Sequence, residues 1–284
     1  MNWTVQVLNG VAVGLLLFLI AAGLSVTFGV MRVLNLNHGG LYAIGAFVGY
    51  SVIQAGWGFG TACLIAFAVT ALFGALQQRF LLWRIRGDEL AQVLLTIGVL
   101  LVISDLIDSI WGSDPKRVPP PAFLDESLDV FGSRFPAYRL ALIVVALVLV
   151  VVLVYVMDKT RLGAIVRAGV DDDELVRLHG IDLKWVFVVV FAAGAGLAGL
   201  AGVLGGPILG TYVGAEYDVL TLALVVVVIG GLGSLQGALV GALFVGLVDS
   251  LTKTAFPGLA AFSIYVPMIL VLVARPQGLL VRHP

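Results

Sequence analysis

Apolar residues form nine runs along the 284-residue chain, and polar residues are concentrated in the stretches between them. A run of about 20 apolar residues can cross a bilayer as one α-helix, while shorter runs are typical of re-entrant or buried segments. The pattern predicts an all-α polytopic helix bundle with about eight or nine membrane segments, some of them discontinuous, in a single domain covering residues 1–284. The predicted segments are 7–30, 39–54, 59–78, 90–111, 137–157, 185–204, 219–229, 238–250 and 262–274.

Composition supports a membrane protein. Hydrophobic residues make up 61% of the chain and charged residues 12%, with a mean hydropathy of +1.11, well outside the range of soluble domains. The net charge of −1 gives no reason to expect a nucleic-acid partner. The single cysteine, Cys63, excludes an internal disulfide and is expected to be a small core residue. No charged residue precedes Arg32, so we expect an uncleaved first span rather than a signal peptide.

Basic residues follow the third, fifth and last apolar runs, which by the positive-inside rule predicts that these three sites are cytoplasmic. The N-terminus and the loop 112–136 are then predicted to lie outside. Five prolines in that loop favour an extended, stiff rim, with a plain solvated loop as the alternative. The basic residues are Arg79, Arg84 and Arg86, then Lys159, Arg161, Arg167, Arg177 and Lys184, and finally Arg275 and Arg282.

Residues 158–184 carry 11 charged side chains, a third of the chain's 16 Lys+Arg and 17 Asp+Glu. Within this segment the pattern predicts a short amphipathic helix over 172–179. Aspartates at its start can cap it, Leu175, Leu178 and Ile181 form one apolar stripe, and Gly180 can end it in the left-handed conformation. We interpret it as an amphipathic helix that lies outside the bilayer, with an ordinary cytoplasmic loop helix as the alternative.

Two polar or glycine-rich stretches, 32–40 and 230–237, interrupt apolar sequence and are each followed by a glycine-spaced helix. Paired interruptions of this kind point to discontinuous helices beside a transport path, although a tight turn between packed helices is the alternative for each. The candidate path or gate residues are Asn35, Asn37, His38, Gly39, Gly233, Ser234 and Gln236.

Motifs of catalysis are missing from the sequence. Gly194, Gly196 and Gly199 spell G-x-G-x-x-G, but more glycines and small apolar residues follow without any alternation of strands and helices, which favours membrane-helix packing over a dinucleotide site. The chain has no G-x-x-x-x-G-K-[ST], H-E-x-x-H, C-x-x-C or G-x-S-x-G sequence. We therefore expect no enzyme activity and no cofactor in this chain, and a driving force supplied from elsewhere.

The stretch GLSVTFGVMRVLNLNHGGLYAIGAFV, with Asn35, His38 and Gly39 in an N-x-x-H-G arrangement, resembles the membrane-spanning permease subunit of branched-chain amino acid ABC transporters, of the LivH type. The stretches VVIGGLGSLQGALVGALFVGLV and RPQGL are similar to the C-terminal half of that family. Glu174 and Gly180 keep the spacing of the cytoplasmic coupling motif of ABC permeases, E-A-A-x-x-x-G. Residues of that coupling site would be Asp173, Glu174, Leu175, Arg177, Leu178, Gly180 and Ile181.

The resemblance implies an importer subunit in a bacterial or archaeal cytoplasmic membrane, in contact with the lipid bilayer. Its expected partners are two ATP-binding subunits, a second permease that is a related chain or a second copy, and an external solute-binding protein that delivers a small amino acid. Urea or amides are alternative substrates for a permease of this appearance. A secondary transporter or a membrane scaffold remains as an alternative from another class.

Overall fold

The computed structural model describes residues 3–31, 34–130, 132–171, 176, 178 and 180–280, and they form a helical bundle with one small β-hairpin. The hairpin joins β1 (Ser127–Val130) to β2 (Ser133–Pro136) in antiparallel register. The α-helices are α1 Trp3–Met31, α2 His38–Gln54, α3 Phe59–Leu76, α4 Glu89–Trp111, α5 Ala137–Lys159, α6 Arg161–Asp171, α7 Leu183–Leu209, α8 Ala215–Gly230, α9 Leu235–Ala255 and α10 Tyr265–Ala274.

The predicted all-α membrane fold is confirmed, and each of the nine predicted segments overlaps one α-helix of the described chain. Six helical stretches of the described chain are long and apolar enough to cross a membrane: α1, α3 with its continuation to Ile85, α4, α5, α7 and α9. Helices α2 and α8, with 17 and 16 residues, and α10, with 10, are shorter. The short apolar runs therefore correspond to short helices.

Helices α1 and α7 form the centre of the bundle. Helix α1 packs against α5, α7, α8 and α9, and α7 packs against α1, α2 and α3. Both are largely buried, whereas α3, α4 and α5 turn most of their surface outward. An outward surface of Leu and Val side chains is stable only in lipid, so the burial pattern fits a membrane protein with an inner and an outer layer of helices.

Glycines on α7 allow its backbone to touch that of its neighbours. A Cβ on Gly23 of α1 would lie 2.4 Å from the carbonyl oxygen of Gly194, and one on Gly45 of α2 would lie 2.2 Å from that of Gly199. A Cβ on Gly202 would also lie 2.2 Å from a main-chain oxygen, that of Tyr42. The interpretation of these α7 glycines as helix-packing residues is thus confirmed, because all of them lie within one continuous helix, Leu183–Leu209, and contact its neighbours.

The loop 112–136 folds over one end of α7 rather than forming only an extended rim. The Lys116 N–H donates to the carbonyl oxygen of Thr211 at 2.7 Å. Val118 is buried against α7, where a Cβ on Gly206 would lie 3.0 Å from the Val118 Cβ. Sequence analysis did not predict the β1–β2 hairpin that follows. Its strands are only four residues each, too short to give a clear alternating pattern.

A valine at Gly45 should destabilise the protein strongly, because its Cβ would force α2 away from α7. We expect a loss of at least about 1–3 kcal/mol, typical of overpacking, and a lower unfolding temperature in detergent by tryptophan fluorescence. Gly98→Val is the matched control, since Gly98 lies on α4 with no atom within 4 Å of its added Cβ. Equal unfolding temperatures for the two variants would contradict this packing.

Candidate functional site

Helix α2 begins deep inside the bundle, about halfway along α1. Its first residue, His38, is buried, and its Nε2 donates to the carbonyl oxygen of Ile20 at 2.6 Å. Ile20 lies 11 residues before Met31, the end of α1, which at 1.5 Å per residue is roughly 16 Å along that helix. The chain after α1 therefore turns back into the protein and starts a helix there. The first predicted interruption is a true re-entry.

Buried polar side chains surround this start of α2. The Asn37 N–H donates to Oδ1 of Asn35, and Nδ2 of Asn37 donates to Oε1 of Gln77 at 3.0 Å. The N–H of Leu36 donates to the Thr96 hydroxyl on α4 at 3.3 Å. Asn35, Asn37 and His38, all predicted from the sequence, are thus brought together, and all three are buried inside the protein in this conformation.

A π-helical segment, Gln77–Leu81, continues α3 and brings Gln77 and Gln78 to the same region. An inserted residue of this kind shifts the following side chains round the helix, and π-bulges are frequent at functional sites. Both glutamines are buried. Oδ1 of Asn37, Nε2 of Gln77 and Oε1 of Gln78 have no hydrogen-bond partner among the described residues. Such unpaired buried groups are costly, so this region is polar at the expense of stability.

Helix α8 begins against the start of α2, so two helix N-termini meet inside the bundle. A Cβ on Gly39 would lie 2.0 Å from the main-chain oxygen of Glu216, which explains why only glycine fits at that position. The Glu216 side chain is 0% exposed. Its Oε1 accepts from the Ser104 hydroxyl on α4 at 2.5 Å and its Oε2 accepts from the Gly214 N–H at 3.0 Å. One carboxylate therefore joins α4 and α8 beside α2.

The second interruption, residues 230–237, is a tight turn between α8 and α9, which agrees with the alternative that the sequence analysis left open. The Ser234 hydroxyl caps α9 by accepting from the Gly237 N–H at 3.0 Å, and Gly233 lies against Gly29 near the end of α1. Gln236 is exposed. Gly233, Ser234 and Gln236 therefore lie near the far end of α1 from its N-terminus, away from the cluster at His38. The two predicted groups of path residues are not one site.

The C-terminal segment RPQGL completes this turn. The Leu279 N–H donates to the carbonyl oxygen of Ile229 at 2.8 Å, and the Leu280 N–H donates to that of Gly230 at 3.1 Å. Gly278 comes so close to Gly231 that a Cβ would lie 2.7 Å from its Cα. Two motifs far apart in the sequence thus form one structural unit that closes the end of α8.

Part of the predicted coupling helix lies outside the described residues, including Asp173, Glu174, Leu175 and Arg177. Gly180 has φ of +78°, which confirms the left-handed conformation expected at the end of that helix. Leu178 is 80% exposed, whereas Ile181 is partly buried against an internal cluster with Val166 and Phe187. The predicted apolar stripe is therefore divided, because Ile181 packs within the chain and Leu178 faces outward.

Sequence analysis did not identify four residues of this interior site: Glu216, Ser104, Gln77 and Gln78. Glu216 carried a usable signal, since an acidic residue close to an apolar run is unusual in a membrane protein. Gln77 and Gln78 stand at the end of the third predicted segment, where polar residues are ordinary. The π-helical turn that directs both side chains inward has no sequence signature.

The fold and this interior site define a multi-pass membrane protein with re-entrant helices, and comparison with known proteins gives the family. Residues 6–274 match the family described as the branched-chain amino acid transport system / permease component, and the chain belongs to it. The LivH permease of the high-affinity branched-chain amino acid transport system from Salmonella typhimurium is 27% identical, with 98% of this chain and 95% of that protein covered.

Two further relatives and one structure are similar over most of the chain. BraD from Pseudomonas aeruginosa is 29% identical, covering 98% of this chain and 95% of its own. LivM from Escherichia coli K12 is 29% identical, covering 92% of this chain and 67% of its own. The structure of PsaBC from Streptococcus pneumoniae in complex with Fab has a TM-score of 0.53 at 12% identity, covering 94% of this chain and 89% of that one, which supports the fold.

Replacing Glu216 by alanine should lower the unfolding temperature, because it leaves the Ser104 hydroxyl and the Gly214 N–H without their acceptor inside the bundle. A buried donor left unpaired costs about 1–3 kcal/mol. Glu216→Gln keeps one acceptor oxygen and should lose less. Glu126→Ala, at an exposed position of the loop 112–136, is the control. If Glu216→Ala unfolds at the control's temperature in detergent, the carboxylate does not hold α4 and α8 together.

Proposed function

We propose that this chain is the permease subunit of an ATP-driven importer and forms the membrane path for branched-chain or related small amino acids. The observation that carries the proposal is membership, over residues 6–274, of a family whose similar relatives are named as branched-chain amino acid permeases. The fold supports it, because a polar interior with re-entrant helices is typical of transporters and is unexpected in a membrane scaffold.

The chain is proposed to work with four kinds of partner: two ATP-binding subunits, a second permease subunit, an external solute-binding protein and the amino acid itself. The sequence has no nucleotide-binding loop, so ATP hydrolysis belongs to other chains. The LivH and LivM permeases of Escherichia coli both match this chain, which supports a related chain as the second permease, with a second copy of this chain as the alternative.

The start of α2 is proposed as a gate on the path. Single hydrogen bonds hold it in place, from His38 to α1, from Asn37 to the π-helical segment after α3 and from Leu36 to α4. Gly39 contacts the start of α8. N–H groups at a helix start favour a carboxylate, which every amino acid carries. In this conformation the groups are enclosed, so transport requires α2 and α8 to separate. Recognition is then the task of the binding protein rather than of a tight site here.

Removing the imidazole at position 38 should impair this gate while the subunit still assembles. His38→Ala loses the hydrogen bond to Ile20, worth about 1 kcal/mol, so we expect about a fivefold lower initial rate of leucine uptake into cells. Thr70→Ala is the control, since it also removes a buried hydroxyl bonded to the backbone, but away from the site. Normal uptake by well-expressed His38→Ala would reduce His38 to a packing residue.

Residues 158–184 are proposed as the cytoplasmic coupling segment that docks on an ATP-binding subunit. The basic residues at this segment support a cytoplasmic location, with the C-terminus on the same side and the N-terminus outside. Exposed Leu178 offers an apolar contact, and Gly180 directs the chain from the segment into α7. Ile181, which was expected to contact the partner, instead ties the segment to the permease.

A valine at Gly180 should weaken attachment of the ATP-binding subunit without removing the permease from the membrane. A Cβ in the left-handed conformation costs about 1–2 kcal/mol, and the strain would fall on the docking segment. Glu174→Lys should weaken attachment as well. Gly112→Val is the matched control, because Gly112 has φ of +76°, open space around it, and a place at the end of α4 beside the outer loop.

The measurement is a pull-down of the ATP-binding subunit from detergent extracts, together with ATP hydrolysis stimulated by the loaded binding protein. It also tests the orientation, since ATP-binding subunits reach only the cytoplasmic face. If the Gly180 and Glu174 variants both keep full attachment and full stimulation, residues 158–184 are not the coupling segment.

A further inference from the structure

Cationic side chains stack on aromatic rings where the end of α3 meets the start of α7. We call Arg79, Trp83, Arg86, Lys184, Trp185 and Phe187 the basic–aromatic cluster. The Arg79 guanidinium carbon lies 4.5 Å from the Trp185 ring centre, and that of Arg86 lies 4.9 Å from Phe187. Nζ of Lys184 lies 5.7 Å from the Trp83 ring centre. Rings at these distances hold a cation in place without neutralising it.

An apolar groove opens directly beside the cluster, between α6 and α7. It has a volume of 260 Å³ and is lined by Leu162, Ile165, Trp185, Val186 and Val189. Trp185 belongs to both features: one ring lines the groove and carries Arg79. Helix α6 contributes the other wall and is amphipathic, with Arg161 and Arg167 on the same short helix as the apolar wall residues. Such helices lie in the plane of a membrane surface.

The described carboxylates near the cluster already have other partners. The Asp88 side chain accepts from the Ala91 N–H and caps α4, and the Asp182 side chain accepts from the Lys184 N–H and caps α7. Asp158 lies 3.8 Å from Arg167. Among the described residues, the ion pairs do not include Arg79 or Lys184. Arg79 and Lys184 therefore present positive charge beside an apolar groove.

We propose that the basic–aromatic cluster and this groove form a binding site for one anionic phospholipid of the surrounding leaflet. The lipid phosphate would lie at Arg79 and Lys184, and one acyl chain would lie along Leu162 and Val189. Charge and shape together favour a lipid over a free anion, because a free phosphate would leave the apolar groove exposed to water. Tryptophan at the boundary between headgroups and hydrocarbon is the usual position for that residue in membrane proteins. Basic pockets between membrane helices on the cytoplasmic side are known to bind anionic headgroups.

Native mass spectrometry of the purified permease, with whatever subunits copurify, tests the site. The protein is titrated with phosphatidylglycerol and, separately, with phosphatidylcholine of the same chain length. We expect one phosphatidylglycerol to be retained preferentially and Arg79→Gln to reduce its retention about fivefold, the effect of about 1 kcal/mol for one basic residue at an anionic surface. Arg84→Gln is the matched control: it removes the same charge at an exposed position of the same segment, and Arg84 has no described ring contact.

A second variant separates the two halves of the site. Val189→Phe fills the groove without changing charge and should also reduce retention of phosphatidylglycerol. Equal losses in the Arg79 and Arg84 variants would overturn the proposal in favour of unspecific attraction to basic residues. Displacement of the lipid by millimolar inorganic phosphate, with no effect of Val189→Phe, would overturn it in favour of a free-anion site. Equal retention of phosphatidylcholine would overturn the role of the cations.

Discussion

Direct backbone contact between α7 and its neighbours is the constraint on which the rest of the structure depends. Gly194 and Gly199 bring α7 against α1 and α2 so closely that no Cβ fits between the helices. In lipid there is little hydrophobic drive to bring helices together, so close van der Waals packing must supply it. The same approach fixes where α2 can begin, because the start of α2 must fit between α1 and α7. A bulkier seam would leave no place for a helix that starts inside the bundle.

Starting a helix inside the protein creates polar groups that cannot reach water. The structure satisfies some of them with side chains from neighbouring helices: His38 bonds to α1, Asn37 to the π-helical turn after α3, and Glu216 joins α8 to α4. Others, such as Oε1 of Gln78, have no described partner. A membrane protein that needed only to be stable would have an apolar interior here. The polar interior instead fits a protein whose helices must separate to let a polar solute pass.

Several small structural features lie together near the C-terminal end of α1. The C-terminal residues complete the turn between α8 and α9, and α6, which lies within the proposed coupling segment 158–184, packs against α7. Val176 and Ile181 tie that segment to the permease, while Leu178 is left exposed. In the proposed coupling, motion of a docked partner is passed to α7, and through the glycine contacts of α7 to α1 and α2. The aromatic rings of Trp83 and Trp185 lie at the same end.

The sequence alone determined the nature of the fold, because hydrophobic runs and glycine spacing are local properties that reflect the lipid environment directly. It identified the nine apolar segments, the family resemblance, the left-handed Gly180 and the polar interruption at Asn35 to Gly39. Only the tertiary structure decided which segments are half-helices, since length by itself does not say at what depth a helix begins. It separated Gly233, Ser234 and Gln236 from His38, and it placed Ile181 inside. It also brought Glu216 to Gly39 and Gln77 to Asn37, pairings between residues 177 and 40 positions apart that depend on helix packing rather than on local pattern.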